Sequence, residues 1–504
     1  MFNIFSTLKF IFINKKKYNK IKSDKIVLVE LFNFRASIIS NGIFANELAK
    51  IHNAKLIGYE SNFLSFKSKI KNFFIRYNPL SHYYLYASYG LQSYVIPSSK
   101  VSDKKFQIIL KSLKKNIRSK KDVLNIKIDS IKIGDLIYDG FLRENKLSTI
   151  DIKSIEFENY LKKSIRLFLY WTNYFNNNKV VAIIVSHSVY LTAVILRIAC
   201  KKNIKVYNTG FSSAYSLTKK KPLKFAYFNE YPKNFKTLNY ETRKNLINIA
   251  KKNIKMRLSG KEDLLYKESQ AIREKVYTNF KVKQIKKSRN ILIAAHDFTD
   301  APHVHGKMIF NDFFDWISYL GKKSLEIKNF NWLIKLHPAE YDENIKYVKY
   351  FLNKYPSLKL LQKNISHNKI INKGIKCVLT TYGSIAHEYP LFGIPVINAG
   401  ENPHSGYNFS INPKNFNQYD NLINNLSKLK KPKDVNRVYE YYAMYNLVDY
   451  NLFEELEFSQ KKLNTNYIFK HFLSKYNIKS LEIIEKKYFN FIKSNKRRLI
   501  KFLH

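Results

Sequence analysis

Cysteine is nearly absent from this chain of 504 residues. Its two copies, Cys200 and Cys377, stand far apart, each inside an apolar run. That excludes a disulfide framework and a thiolate zinc site, and it suits a reducing compartment. Gly (14) and Pro (12) are also scarce, so no Pro/Gly/Ser-rich linker marks a domain boundary. Acidic residues are few: 38 against 88 Lys and Arg, a formal net charge of +50. Such an excess reads either as a field for an anionic partner or as compositional drift in a chain rich in Lys, Ile and Asn. No recognisable nucleic-acid module appears and the lysines are spread along the whole chain, so nucleic acid is not an expected partner.

Targeting signals are weak as well. The run 1–14 (MFNIFSTLKFIFIN) has its lysine-rich stretch after the apolar part, and no small-residue cleavage site follows. A secretory signal is therefore not expected; an interfacial anchor and a frayed basic tail are the two readings. The apolar run 180–200 approaches membrane-spanning length. Its Ser-His-Ser break and Arg197 instead predict a buried strand, a turn and a helix.

What is present is core material: 45% of residues are hydrophobic and 15% aromatic, at a length that suits two domains. Lys25–Glu30, a polar loop, a helical pattern and Leu56–Tyr59 read as the start of an α/β doubly wound unit. Residues 62–130 are mostly helical in pattern. Asp135, Asp139 and Arg143 follow at four-residue spacing, which puts them on one helix face and lets them pair. Strands are expected at 180–185 and Lys205–Asn208, and the connection between domains within 215–285. The second half repeats the alternation, with strands at Asn290–Ala295, Trp332–Lys335, Leu358–Leu361, Cys377–Thr380 and Pro395–Asn398. The expected division is a basic and apolar segment 1–23, a Rossmann-like domain 24–275 with a helical insertion, a second one at 285–430, and a basic helical tail 431–504.

Ligands of doubly wound sheets bind at the carboxyl ends of strands. Four polar clusters of the second half fall there: His296, Asp297, Asp300, His303 and His305; Lys335, His337 and Glu340; Thr380 to Ser384 with His387 and Glu388; and Asn398 to His404. The third is the most informative. Hydroxyl residues and one glycine sit where a strand turns into a helix, so backbone N–H groups converge on one point and suit a phosphate. Thr381 or Ser384 could equally be a plain helix cap.

The segments WLIKLHP and LTTYGSIAHEYPLFGIPVI resemble bacterial capsule and surface-polysaccharide transferases of the GT-B type, among them Kdo transferases, polysialyltransferases and polyol-phosphate polymerases. DFTDAPHVHGKMIFNDFFDW and IGDLIYDGFLR are similar to segments of the same group. The resemblance covers residues 290–400 well and the first half loosely. It implies a GT-B fold, two Rossmann-like domains facing across a cleft, and a metal-independent enzyme with no cofactor. It also implies a nucleotide-sugar donor, with a CMP-linked acidic sugar as one candidate, and an acceptor that is a surface glycan or its lipid-linked primer. It assigns His337, Thr381, Ser384 and Glu388 to the donor phosphate. Lys335, at the end of the same strand, reads on its own as a neutralising cation or a solvated lysine. Thr-Tyr-Gly-Ser departs from the consecutive serines of polyol-phosphate polymerases, and no acidic motif matches the polysialyltransferase base. Candidate bases are His187, Asp297 and Glu47, with Asp135, Asp139 and His303 behind them. His303 and His305 have metal-ligand spacing, yet no metal site is expected. A non-hydrolysing UDP-N-acetylglucosamine 2-epimerase and a polyol-phosphate transferase are the alternatives. The expected location is cytoplasmic, with peripheral contact at the inner face of the membrane.

Overall fold

The structure is a computed structural model. It describes residues 4–258, 289–449 and 476–501, apart from positions 79, 210–212, 225, 338–340, 363, 364, 366 and 495. The chain forms two compact units. Unit 1 comprises Met1–Phe141, Asp151–Lys224 and Val448–His504; unit 2 comprises Leu142–Ile150 and Phe225–Leu447.

Unit 1 is built on β1 (Ile26–Glu30), β2 (Lys55–Tyr59), β3 (Ser93–Val95), β6 (Val180–Val185), β7 (Lys205–Asn208) and β8 (Tyr215–Leu217). A small antiparallel hairpin, β4 (Lys127–Ile128) with β5 (Ile131–Lys132), stands apart from this sheet. The sheet order is β3-β2-β1-β6-β7-β8, parallel except for the last pairing. IVLVE and VVAIIV are apolar without alternation because both faces of these strands are covered. α1 (Ile4–Lys17), α2 (Arg35–His52), α3 (Phe66–Ile75) and α4 (His82–Ala87) complete the first half of the unit.

The termini depart from the expectation of separate basic ends. α1 places Phe10 and Ile11 in the unit 1 core. The helix Ile478–Lys493 places Leu481, Ile484, Tyr488 and Phe491 in the same core, and Phe44 of α2 meets Tyr488 edge-on at 4.9 Å. The apolar positions recur at helical spacing among lysines, so the charge lies on one side and packing decides the other. Lys17 and Lys50 converge on Glu485, at 3.2 and 3.6 Å, and join α1 and α2 to this helix. The domain boundary also shifts: the helix Tyr240–Leu258 belongs to unit 2, and residues 142–150 join it from within the first half.

Unit 2 has β9 (Asn290–Ala294), β10 (Asn331–Lys335), β11 (Leu358–Leu360), β12 (Ile375–Thr380) and β13 (Val396–Asn398) in the order β11-β10-β9-β12-β13, all parallel. Trp316, Trp332 and Phe351 fill one side of this sheet, and Ile370, Ile385 and Tyr389 the other. Each unit is thus a doubly wound, Rossmann-like α/β fold. In each, the strand order reverses at one point: between β1 and β6 in unit 1, and between β9 and β12 in unit 2. That reversal leaves a crevice at the carboxyl ends, where such folds bind ligands. The run 180–200 is β6, a turn and the helix Val194–Lys201, as expected. Among the described residues, no helix is long and apolar enough to cross a membrane.

Candidate functional site

In unit 2 the crevice lies between the segments that follow β9 and β12. His296 follows β9 and is half-buried; desolvation pushes its imidazole down to about 3, so the ring is neutral at pH 7. Its Nε2 accepts the Tyr382 backbone N–H at 3.4 Å and lies 3.3 Å from Thr380 Oγ1. Tyr382 and Phe313 flank the ring at 4.2 and 5.4 Å. His296 therefore braces the turn 381–384. Gly383 allows the close fit: a Cβ there would sit 2.9 Å from Thr380 Oγ1 and 3.6 Å from His296.

Neither hydroxyl of this turn acts as a simple cap. Thr381 is buried, and its Oγ1 meets no hydrogen-bond partner among the described residues. Ser384 occupies the cap position of the short helix Ile385–Glu388 without capping it. Its Oγ instead accepts from Arg257 Nη2 at 2.7 Å. Arg257 also pairs through Nε with Glu388 Oε1 at 2.5 Å, both side chains being largely buried. Glu388, assigned by resemblance to the donor, is thus held by Arg257. The helix expected after this turn is the short α-helix Ile385–Glu388 continued by the 3-10 turn Tyr389–Phe392.

β10 brings Lys335 and His337 to the same edge. Lys335 is buried, and desolvation pushes its ammonium down to about 8. The ring of His337 reaches solvent. Surrounding protein, then the Lys335 cation, still hold its pKa below the ordinary imidazole value. Glu340 lies outside the described residues. Asp297 is engaged in shaping its own loop. Its Oδ1 accepts from Thr299 N, Thr299 Oγ1 and Asn344 Nδ2 at 2.9, 3.0 and 3.1 Å, and its Oδ2 lies 3.6 Å from Arg143. Those bonds favour a structural carboxylate over a base. His303 is buried, and His305 packs on Tyr382 at 4.5 Å, with burial lowering its pKa to about 3. The fourth cluster closes on itself: Glu401 accepts the Lys307 N–H at 2.6 Å, and Asn402 accepts the His404 N–H at 2.8 Å. The crevice is accordingly lined by Arg257, Lys335, His337 and backbone N–H groups, which together suit an anion.

In unit 1, His187 follows β6 beside the strand-order reversal and is exposed, with Phe32 edge-on at 5.0 Å. Its neighbour Ser186 donates its N–H to Glu30 Oε2 at 2.5 Å and accepts from Asn41 Nδ2 at 3.1 Å; Thr209 in turn donates to Asn41. Glu30 is buried, and desolvation pushes its carboxyl up to about 7. Glu47 does not belong here. It lies in the last turns of α2, away from the carboxyl edge, and pairs with Lys50 at 2.7 Å, so it joins the ion cluster around Glu485. Asp135 pairs with Arg197 at 2.6 Å rather than with Arg143, and Asp139 is buried. Arg257 and Glu30 escaped sequence reasoning. One ends a helix in a stretch without motifs, and the other reads as the last residue of an apolar strand.

No protein-family profile and no curated protein sequence matches this chain. Solved structures do. A beta Kdo 2,7 transferase, KpsC of Thermosulfurimonas dismutans, shares 12% identity over 60% of this chain and 88% of its own, at a TM-score of 0.35. The beta Kdo 2,4 transferase of the same KpsC shares 11% over 53% and 79%, at 0.33. The UDP-GlcNAc 2-epimerase of Neisseria meningitidis shares 14% over 90% and 100%, at 0.27. The strand order of each unit establishes the Rossmann-like folds independently of these similarities.

Proposed function

We propose that this chain is a metal-independent glycosyltransferase. It moves a sugar from a nucleotide donor, a CMP-linked acidic sugar being the first to test, to a surface or capsular polysaccharide or its lipid-linked primer at the inner face of the membrane. The observation that carries this reading is the crevice of unit 2. Arg257, Lys335 and His337 gather around the turn 381–384, whose Thr381 hydroxyl is buried without a partner among the described residues. A donor phosphate there would accept from Thr381 and from the turn's N–H groups, and it would favour the charged form of Lys335. As the sugar–phosphate bond breaks, the same groups stabilise the charge gathering on the leaving phosphate. Within unit 1, the exposed His187 is the candidate base for an acceptor hydroxyl's proton. Glu30 positions it by fixing Ser186.

Thermal unfolding with CMP-, UDP-, GDP- and CDP-linked sugars tests the reading. Stabilisation by one nucleotide class is expected, with His337→Ala weakening that donor about tenfold or more, as loss of one charge-assisted contact implies. Stabilisation by none of the panel would sink the proposal. Release of UDP and N-acetylmannosamine from UDP-N-acetylglucosamine without an acceptor would replace it with an epimerase. Transfer of a polyol phosphate from a CDP-linked donor would replace it with a polyol-phosphate transferase.

A further inference from the structure

Two helices of unit 1 present apolar faces to solvent. α1 turns Thr7, Phe10, Ile11 and Asn14 inward, while Ile4, Phe5 (78% exposed), Leu8 and Phe12 (70%) form a second stripe on the outside. The α3 segment exposes Ile70, Phe73, Phe74 (68%) and Tyr77 (73%). Phe73 meets Phe74 and Tyr77 edge-on at 5.6 and 5.8 Å, so the rings form one surface cluster. Both elements border α4: Lys15 lies over Tyr84 at 5.3 Å, and Arg76 over Tyr83 at 5.5 Å. Contiguous apolar surface of this kind marks an interaction site rather than ordinary exposure.

Within the two segments themselves the charge has one sign, while Lys17 turns to Glu482 and Glu485 of the last helix. Neither Asp nor Glu occurs in residues 1–23 or 61–102, whereas Lys9, Lys15, Lys16, Lys17, Lys67, Lys69, Lys71 and Arg76 do. Exposed Phe and Tyr beside lysines, in segments that carry no carboxylate of their own, complement an anionic lipid surface; a protein partner reading the same apolar stripe has no need of that exclusion. α3 also follows the loop that leaves the carboxyl end of β2, the sheet edge that carries His187.

We propose that α1 and α3 dock unit 1 on an anionic bilayer. The aromatic rings enter the boundary between headgroups and acyl chains, and the lysines meet lipid phosphate. This deepens the glycosyltransferase reading, on which it rests for one point, that the acceptor is lipid-linked. The test is co-sedimentation of the full chain with vesicles of phosphatidylcholine, alone or mixed with phosphatidylglycerol. Binding is expected only to the mixed vesicles, and it should weaken as salt rises from about 0.1 to about 0.5 M. The double variants Phe73→Ser/Phe74→Ser and Phe5→Ser/Phe12→Ser should each bind at least about tenfold more weakly. Unchanged circular dichroism and an unchanged nucleotide-dependent thermal shift keep folding and donor binding out of the comparison. Absence of wild-type binding to mixed vesicles overturns the proposal, as does binding that the aromatic variants leave intact. A dimer in solution that the same variants dissolve, with vesicle binding unaffected, assigns the surface to self-association instead. Vesicle binding is read without nucleotide, so its failure is distinct from failure of the donor reading.

Discussion

Arg257→Met removes a guanidinium that joins two groups of the unit 2 crevice, Ser384 at 2.7 Å and Glu388 at 2.5 Å. Side-chain exposure is 13% for Arg257 and 5% for Glu388, so the pair is not screened as a surface pair would be. Methionine keeps much of the apolar stem volume but leaves the Glu388 carboxylate enclosed without its cation. Breaking a buried pair from one side costs about 3–5 kcal/mol. For a folding unit of this size that corresponds to a melting point lower by roughly 6–20 °C. The coupling is the sharper measurement. Glu388→Gln removes the unpaired charge, so the double variant should recover about half of the loss or more, in a cycle with an interaction of roughly 1–3 kcal/mol. Urea unfolding of the four proteins, with and without the nucleotide that stabilises the wild type, separates structure from binding. Donor affinity should fall about tenfold or more in Arg257→Met even where the fold persists, because one charged contact at the turn is gone. A single-variant loss under about 1 kcal/mol, with additive double-variant data and unchanged nucleotide affinity, would refute the buried bridge and the role given to Arg257.

Lys335 has a folded-state pKa of about 8, below its unfolded value, so the fold carries a penalty for the charged form that is fully present below pH 8. Stability should therefore rise with pH from about 8 to about 10.5, and Lys335→Met should gain roughly 2–3 kcal/mol at pH 7 while losing donor binding, read by denaturation and titration. Glu30 behaves in the opposite sense: its carboxyl is raised to about 7, so its contribution is present at acid pH and is lost as pH climbs from about 4.5 through 7. Glu30→Gln should flatten stability over that window in urea titrations at several pH values. Leu481→Ala, on the C-terminal helix, should destabilise unit 1 by about 2–5 kcal/mol if that helix is core; a change within the noise of chemical unfolding would return it to the status of a tail.

Much of the fold was legible because strands buried on both faces leave an unbroken apolar signature. IVLVE, VVAIIV, NILIA and IKCVLT were each identified within a residue or two of their observed ends. β8 was missed, being a three-residue antiparallel edge strand with no such run. Lys335, His337, Thr381 and Ser384 could be placed at the carboxyl ends of strands because strand ends and a glycine-containing turn are local features. Glu47 was misassigned because a carboxylate on a helix after the first strand looks the same near the crevice or far from it. Its partner Glu485 lies in the last helix, far along the sequence, and no local pattern announces that ion cluster.

The sequence by itself determined which segments become buried strands, where their carboxyl ends fall, and that a Thr/Tyr/Gly/Ser turn stands at one of them. Those properties depend on hydrophobicity and backbone preference over a few neighbouring residues. Strand order was decided only by tertiary structure, and with it the location of each crevice between β1 and β6 or between β9 and β12. Tertiary structure also brought Arg257 to Ser384 and Glu388, gave Asp135 to Arg197, and drew the two basic termini into one core. Each of these is a pairing between residues distant along the chain, settled by which buried charge or apolar face found its complement once the sheets had formed.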